Sequence, residues 1–433
     1  MHHVILGAGP AGVTAAETIR QARPSDDITL ISGEESAPYS RMAIPYLLQG
    51  HIKEQGTHLR QTPGHYETLG IKNKHGRAGG IDTATKRLFL GSGETIAYDR
   101  LLIATGASPI MPQMDGANLP GVHTCWTLAD AREITKLVTK GAPVVLCGAG
   151  FIGSIILEAL HASGADLTVV ELAPRMVARM MDETAGGMLK RWCETKGVRV
   201  LTGQRVERIS TVEDKGGGGP LRVQLSSGNT IPARLVVMAV GVRPNAGFLV
   251  GSGVQVDRGI RVDDHLRTTA TDVYAAGDCC EAVDLSTGKH DMLAIQPTAV
   301  EHGRFAGLNM AGIATRHRGS LNMNVLDTMG LISSSFGLWQ GEKGTASAKQ
   351  IDEPGYRYLR LEFKDDRLVG AQCVGHTENV GILRGLIQTG IHLGGWKGKL
   401  MRSPERVVEA YVATAQGMPG FGPGAPHVKV PVV

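Results

Sequence analysis

The stretch VILGAGPAG, Val4–Gly12, constrains this chain more than any other, because it joins an apolar strand to a helix through three glycines at fixed spacing. Val4, Ile5 and Leu6 read as a buried strand, and TAAETIRQA after the turn has helical character. Gly7 permits the tight turn, Gly9 lets backbone approach a pyrophosphate, and Gly12 lets helix pack closely on strand. The helix N-terminus adds free N–H donors and a dipole that favours an anion. Such a stretch is a dinucleotide cradle. A single G-x-G-x-x-G is weak evidence, and its weight here comes from recurrence.

The design returns at Pro143–Gly153, PVVLCGAGFIG, with Gly148, Gly150 and Gly153 in the same spacing. Each cradle is followed by a strand ending near an acid. After the first, Asp27–Ser32 runs into Glu34 and Glu35, of which Glu34 is the better placed to accept hydrogen bonds from ribose hydroxyls. After the second, Leu167–Val170 ends in Glu171, about 20 residues beyond the glycines, where a ribose-binding acid belongs. A carboxylate at Glu171 repels a 2′-phosphate and favours NADH over NADPH, with nearby Arg175 pulling the other way. The strand at Tyr98–Pro109 ends in Thr105-Gly106, and LVVMAVGVRPN, ending at Asn245, resembles it. Internal duplication is the economical reading: two nucleotide-binding units, each with a glycine turn and a later strand closing in small residues.

Bulk properties bound the rest. A chain of 433 residues suggests two to four domains, and 42% hydrophobic with 20% charged residues is a soluble globular composition. A net charge of +4 without a basic block does not imply nucleic acid. No apolar run reaches the roughly 18 residues of a membrane span. A strand starting near residue 3 leaves no room for a signal peptide, so the expected location is cytoplasmic. The six cysteines, Cys125, Cys147, Cys193, Cys279, Cys280 and Cys373, show neither C-x-x-C nor zinc spacing, and no metal site is expected. Adjacent Cys279 and Cys280 read as small buried residues rather than a vicinal disulfide.

Further candidates lie between the cradles and beyond them. Arg41, in PYSRMAIPYLLQG, is placed to hold a pyrophosphate or adenine group, or is a surface arginine. Asp278, after a short strand in TTATDVYAAGDCC, can bind a polyol or simply close a turn. Pro297-Thr298 opens a helix whose N-terminal dipole is available to a ligand. Glu301 and His302 nearby read as helix-surface residues. From Asn322 the pattern changes to alternating strands and then helices, a separate α+β unit, and GMPGFGPGAPHVKVPVV reads as an extended tail.

With two cradles, ATG, GVRPN and YAAGD in this order, nearly the whole chain resembles the two-dinucleotide-binding flavoproteins of the pyridine nucleotide-disulfide oxidoreductase superfamily. The resemblance implies an α/β fold of two Rossmann-like domains, the FAD domain split around the NAD domain, with a C-terminal α+β interface domain that commonly forms a homodimer. The boundaries are 1–111 and 247–321 for FAD, 112–246 for NAD, 322–416 for the interface and 417–433 for the tail. It implies FAD against Gly7, Gly9, Pro10, Ala11, Gly12 and Glu34. Arg41, backbone at Ala78, Thr105, Gly106, Asp278 and the Thr298 helix start complete that set. NADH would meet Gly148, Gly150, Phe151, Ile152, Gly153, Glu171 and Gly241.

Departures from the family pattern narrow the function. Thiol-active members carry a redox cysteine in the segment after the first acid, and Gly33–Arg100 contains none, which disfavours disulfide reduction and the cysteine-dependent water-forming oxidases. The segment around Arg41 is similar to the ferredoxin-reductase, rubredoxin-reductase and nitrite-reductase flavoprotein branch. That branch often has a lysine where this chain has Tyr46 and a glutamate where it has Ile155. Those charges commonly pair beside the flavin. Losing one leaves a buried unpaired charge costing roughly 3–5 kcal/mol, whereas losing both is close to neutral. Tyr46 and Ile155 are therefore expected to face each other near the flavin, and Tyr46→Lys alone to weaken flavin binding more than Tyr46→Lys with Ile155→Glu. No catalytic acid, base or nucleophile is expected, since the cofactor carries the chemistry. The resemblance implies hydride transfer from NADH to FAD and electrons onward to a ferredoxin- or rubredoxin-like protein or a partner subunit. Alternatives are a peroxide-forming NADH oxidase and an FAD- and NADH-binding sensor or scaffold without turnover.

Overall fold

Both glycine motifs fold as strand, turn and helix, and each founds a parallel sheet. The computed structural model describes residues 1–212 and 219–415. Strand β1 (His2–Leu6) leads into helix α1 (Pro10–Ala22), with proline inside the first turn, where its missing N–H costs nothing. Then come β2 (Asp27–Ser32), the short helix α2 (Ile44–Leu48), β3 (Ile71–His75) and β4 (Arg100–Ile103). Strand β1 pairs in parallel with β2 and β4, and Val4 and Ile5 are wholly buried, as a strand covered on both faces requires.

The chain then builds a second parallel sheet from β5 (Val122–Thr124), β6 (Pro143–Cys147), β7 (Asp166–Glu171), β8 (Arg199–Thr202) and β9 (Leu235–Met238), in the order β8–β7–β6–β9–β5. Helix α3 (Phe151–Ala162) follows β6, and α4 (Glu183–Thr195) connects β7 to β8. Strand β10 (Val273–Ala275) returns to the first sheet, giving β10–β4–β1–β2–β3. The chain leaves and re-enters through a single doorway, where Ala107–Pro109 pairs antiparallel with Val242–Pro244. These are the two stretches whose sequences resemble each other.

Helix α5 (Gln296–Met310) packs on α1 through small residues. A Cβ on Gly303 would lie 2.2 Å from the carbonyl oxygen of Ala11, so only glycine allows this approach.

The contacts divide the chain into two compact units, Met1–Leu172 with Val198–Ser320, and Ala173–Gly197 with the described chain from Leu321 onward. Both parallel sheets fall in the first. The second holds an antiparallel sheet of β11 (Met323–Thr328), β12 (Leu331–Gly337), β13 (Ala346–Asp352), β14 (Arg357–Lys364) and β15 (Arg367–Val374), in the order β11–β12–β15–β14–β13. Helices α6 (Val380–Thr389) and α7 (Val407–Ala415) share a core with Leu359, Leu361 and Phe363 of β14. Helix α4 belongs to this unit although it connects two strands of the other. Its N-cap Asp182 accepts hydrogen bonds from Tyr358 Oη at 2.6 Å and Arg360 Nη1 at 3.1 Å, and Trp192 Nε1 donates to the Thr328 carbonyl at 3.0 Å. The tail at 417–433 lies outside the described residues.

Candidate functional site

In the first cradle Gly7 adopts φ +118°, and a Cβ there would sit 2.0 Å from the Ala104 carbonyl oxygen. A Cβ on Gly12 would sit 1.8 Å from the carbonyl oxygen of Gly7, while one on Gly9 would meet nothing within 4 Å. The first and third glycines are thus demanded by packing, and the second leaves open space. Gly9 is the N-cap of α1 and no side chain caps it, so the N–H groups from Ala11 onward lack the usual side-chain acceptor. Glu34, at the tip of β2, accepts from Tyr39 Oη and Arg41 Nη2, each at 2.6 Å, whereas Glu35 is exposed. Arg41 also donates to the Trp126 carbonyl at 2.7 Å and stacks over Trp126, its guanidinium carbon 5.5 Å from the ring centroid. Ala78 opens a strand whose preceding residue, Arg77, lies along Gly33 beside Glu34.

Three further elements close on this cradle. Thr105 Oγ1 donates to the Asn245 carbonyl at 2.8 Å and the Asn245 amide donates back to the Thr105 carbonyl at 2.9 Å, with Gly106 between them and the doorway at φ +65°. The turn Gly277–Cys279 carries Asp278 between α1 and α5, since a Cβ on Gly277 would meet Ala11 and Ala299. Burial pushes the Asp278 carboxyl above the ordinary aspartate range, while Arg41 pulls it down. Thr298 is buried in the first turn of α5, whose N-cap also has no side-chain partner, and Ser40 donates to Gln296 Oε1 at 2.5 Å, tying the Arg41 segment to the same helix start.

The second cradle repeats the geometry. Gly148 adopts φ +104°, its Cβ would lie 2.4 Å from the Ala239 carbonyl oxygen, and a Cβ on Gly153 would lie 2.1 Å from that of Gly148. Gly150 again has nothing within 4 Å and caps α3 without a side-chain bond. Phe151 and Ile152 are half-buried in that first turn, and Gly241, at φ +132°, accepts at its carbonyl from Ile110 N–H. Glu171 differs from Glu34: its carboxylate accepts the Ala149 N–H, inside the glycine turn, at 2.5 Å.

The sequence pattern of the pyridine nucleotide-disulphide oxidoreductases matches residues 1–303. This chain belongs to that family. Among similar members, an NADH oxidase of Methanocaldococcus jannaschii is 29% identical, over 87% of this chain and 88% of the relative. The epsilon subunit of an NADH-dependent phenylglyoxylate dehydrogenase from Aromatoleum evansii is 29% identical over 93% and 95%. A solved ferredoxin reductase from Rhodopseudomonas palustris superposes with a TM-score of 0.84 at 26% identity, over 95% of this chain and 99% of the other.

Members of this family are FAD- and NAD(H)-dependent oxidoreductases, and two cradles with open second glycines, uncapped helix starts and a strand-end acid each fit two dinucleotides. The thiol chemistry in the family name has no accessible sulfur here. All six cysteines are free and buried, and burial pushes Cys125, Cys147 and Cys193 up to about 12. Arg175 has its guanidinium taken by the carbonyls of Met181 and Ala178. Tyr46 is 55% exposed on α2, which packs against α3, the helix of half-buried Ile155. No helix among the described residues is long and apolar enough to cross a membrane. One expectation fails. His302 is buried rather than on a helix surface, because α5 is walled on that side by Cys280, His317 and Ser320.

Proposed function

We infer that this chain is an FAD-dependent NADH:acceptor oxidoreductase that passes electrons to a small redox protein, ferredoxin- or rubredoxin-like, or to a partner subunit. The observation that carries the reading is the pair of cradles within one compact unit, joined by the Thr105–Asn245 exchange. FAD, when bound, supplies hydride-accepting and single-electron chemistry. The chain's own work is to bind and orient. The N-termini of α1 and α5 offer N–H groups and positive dipole ends to negative charge, Glu34 and Arg41 are placed for ribose and pyrophosphate, and Asp278 for a polyol. At the second cradle the α3 N-terminus takes a pyrophosphate and Glu171 a ribose, which favours NADH over NADPH. Tyr46 and Ile155 lie on helices that touch, in keeping with a place near the flavin.

A homodimer in the cytoplasm is part of the proposal by family analogy. Of the basic residues in the second unit, Lys399 and Arg406 stack on Trp396, and Arg406 also pairs with Glu409, so they are weak steering charges. Oxygen as acceptor is the second reading, favoured by the likeness to an NADH oxidase.

The test is an anaerobic titration of the purified protein with NADH and, separately, NADPH, following the visible flavin spectrum. Bleaching by NADH at low excess is expected, with slow reoxidation by air and fast reoxidation by an electron carrier. Absence of flavin, or flavin that neither nucleotide reduces, overturns the reading. Fast reoxidation by air alone moves it to the oxidase.

A further inference from the structure

Helix α5 carries a buried histidine for which the proposed chemistry has no use. His302 is 2% exposed; its Nδ1 lies 3.6 Å from Cys280 Sγ and its Nε2 3.5 Å from Ser320 Oγ. The Ser320 hydroxyl donates to Glu301 Oε2 at 2.6 Å, and His317 Nε2 lies 3.2 Å from the same hydroxyl oxygen. Cys280 Sγ in turn lies 3.2 Å from the Gly277 carbonyl oxygen, at the head of the turn that carries Asp278. That turn is wedged between the first turns of α1 and α5, where Gly277 at φ +78° leaves only 3.2 Å to Ala11 for an added Cβ.

One arrangement of protons satisfies these groups together. A serine hydroxyl has a single proton, and the shorter, charge-assisted bond to the Glu301 carboxylate takes it. Ser320 Oγ is left with lone pairs for two donors, the Nε2–H groups of His302 and His317. Burial, reinforced by neighbouring His317, lowers the His302 pKa to about 3, so the ring is neutral and carries one N–H. With that proton on Nε2, Nδ1 is bare and shares the single Cys280 thiol proton, which burial retains, with the Gly277 carbonyl oxygen in a three-centre bond. The groups facing His302 are then Glu301 on its own helix, His317 and Ser320 from the segment after it, and Cys280 from the strand Cys280–Val283.

We propose that His302, as the Nε2–H tautomer, is the positioning residue of the flavin-binding turn. Its Nε2–H holds Ser320, its Nδ1 holds the Cys280 thiol, and together they fix Gly277–Cys279 in the shape that presents Asp278 to the polyol chain of the flavin. The inference rests on the reading of the first cradle as the flavin site.

The test compares His302→Asn, whose short amide reaches the Nδ1 position, with His302→Gln, whose longer amide reaches the Nε2 position, and with His302→Phe. A long-range 1H–15N spectrum of wild-type holoprotein gives His302 the Nε2–H pattern, unchanged between pH 5 and 8. The Asn variant keeps FAD within about threefold of wild type, whereas Gln and Phe weaken it roughly tenfold, the equivalent of one lost hydrogen bond. Peptide mapping after a thiol reagent finds Cys280 labelled in Gln and Phe but not in Asn. An Nδ1–H pattern, or equal FAD retention by folded Asn and Gln variants, overturns the proposal. The spectrum and the labelling are read equally on flavin-free protein, so a wild type that binds no FAD sinks the flavin reading while the tautomer is still decided. If His302→Phe does not fold, the Asn and Gln pair carries the comparison.

Discussion

The two glycine turns share a backbone and differ in what their acids do. In both, the first glycine has positive φ and the third packs against its carbonyl. Glu34, however, is clamped by Tyr39 and Arg41, and Arg41 is itself held by Trp126, whereas Glu171 folds back on the Ala149 N–H of its own turn. The first site is braced from several elements, with Asp278 and the start of α5 beside it. At the second, the bond from Ala149 N–H to Glu171 is one for which a ribose hydroxyl would compete on the reading proposed above. Preorganisation from several sides suits a ligand that stays, and a self-satisfied acid suits one that enters and leaves at every turnover. The backbone motif makes a nucleotide site, and the surroundings decide its residence time.

The largest test of that contrast is Gly7→Ala against Gly148→Ala. Each puts a Cβ at positive φ within 2.4 Å of a carbonyl oxygen, an expected cost of about 3 kcal/mol from overpacking and backbone strain together. Gly7→Ala is expected to purify without flavin. Gly148→Ala should keep its flavin absorbance and need over about a hundredfold more NADH for reduction. Equal flavin loss in both breaks the comparison. Next, Glu171→Ala should lower the preference for NADH over NADPH, as the ratio of kcat/KM values, on the order of tenfold, with Glu34→Ala leaving that ratio unchanged.

Smaller effects come from the clamp. Arg41→Met removes the ion pair to Glu34 and the bond to Trp126; since Arg41 is 38% exposed, solvent screening limits the loss to about fivefold in FAD affinity, measured by fluorescence on flavin release. The smallest concerns pH. Because burial raises the Asp278 carboxyl in the folded chain, this group's contribution to the stability of flavin-free protein is largest below the ordinary aspartate value, where both states are neutral. That contribution falls as pH rises, until the folded carboxyl also ionises. Thermal melts from pH 4 upward should show it as a difference, with Asp278→Asn apoprotein gaining stability relative to wild type as pH rises.

Much of this was legible in sequence because glycine spacing reports a steric demand directly: Gly7, Gly12, Gly148 and Gly153 sit where a Cβ has no room. The strand-end acids were legible for the same reason, by their distance from those turns. What escaped depends on contacts between distant stretches. That ATG and GVRPN lie side by side was visible only as likeness, since nothing local to Thr105 names Asn245 as its partner. Helix α4 connects two strands of one unit, and its allegiance to the other is set by Tyr358 and Arg360, far along the chain. His302 was misjudged because α5 packs through Gly303, Gly307 and Ala306, so its buried faces lack the bulky apolar stripe by which an inward side is recognised.

Ile110 N–H bonds the Gly241 carbonyl at 2.9 Å, so the chain between them leaves and returns at the ends of what is, locally, a hairpin. A hairpin is closed by as few as two residues, and an insert with adjoining ends can be added or removed without displacing its host. The doorway therefore records how a second nucleotide unit can be grafted into a loop of the first. It also marks where a cassette of different donor preference can be exchanged in one piece, provided the replacement carries a helix able to meet Tyr358 and Arg360 as α4 does.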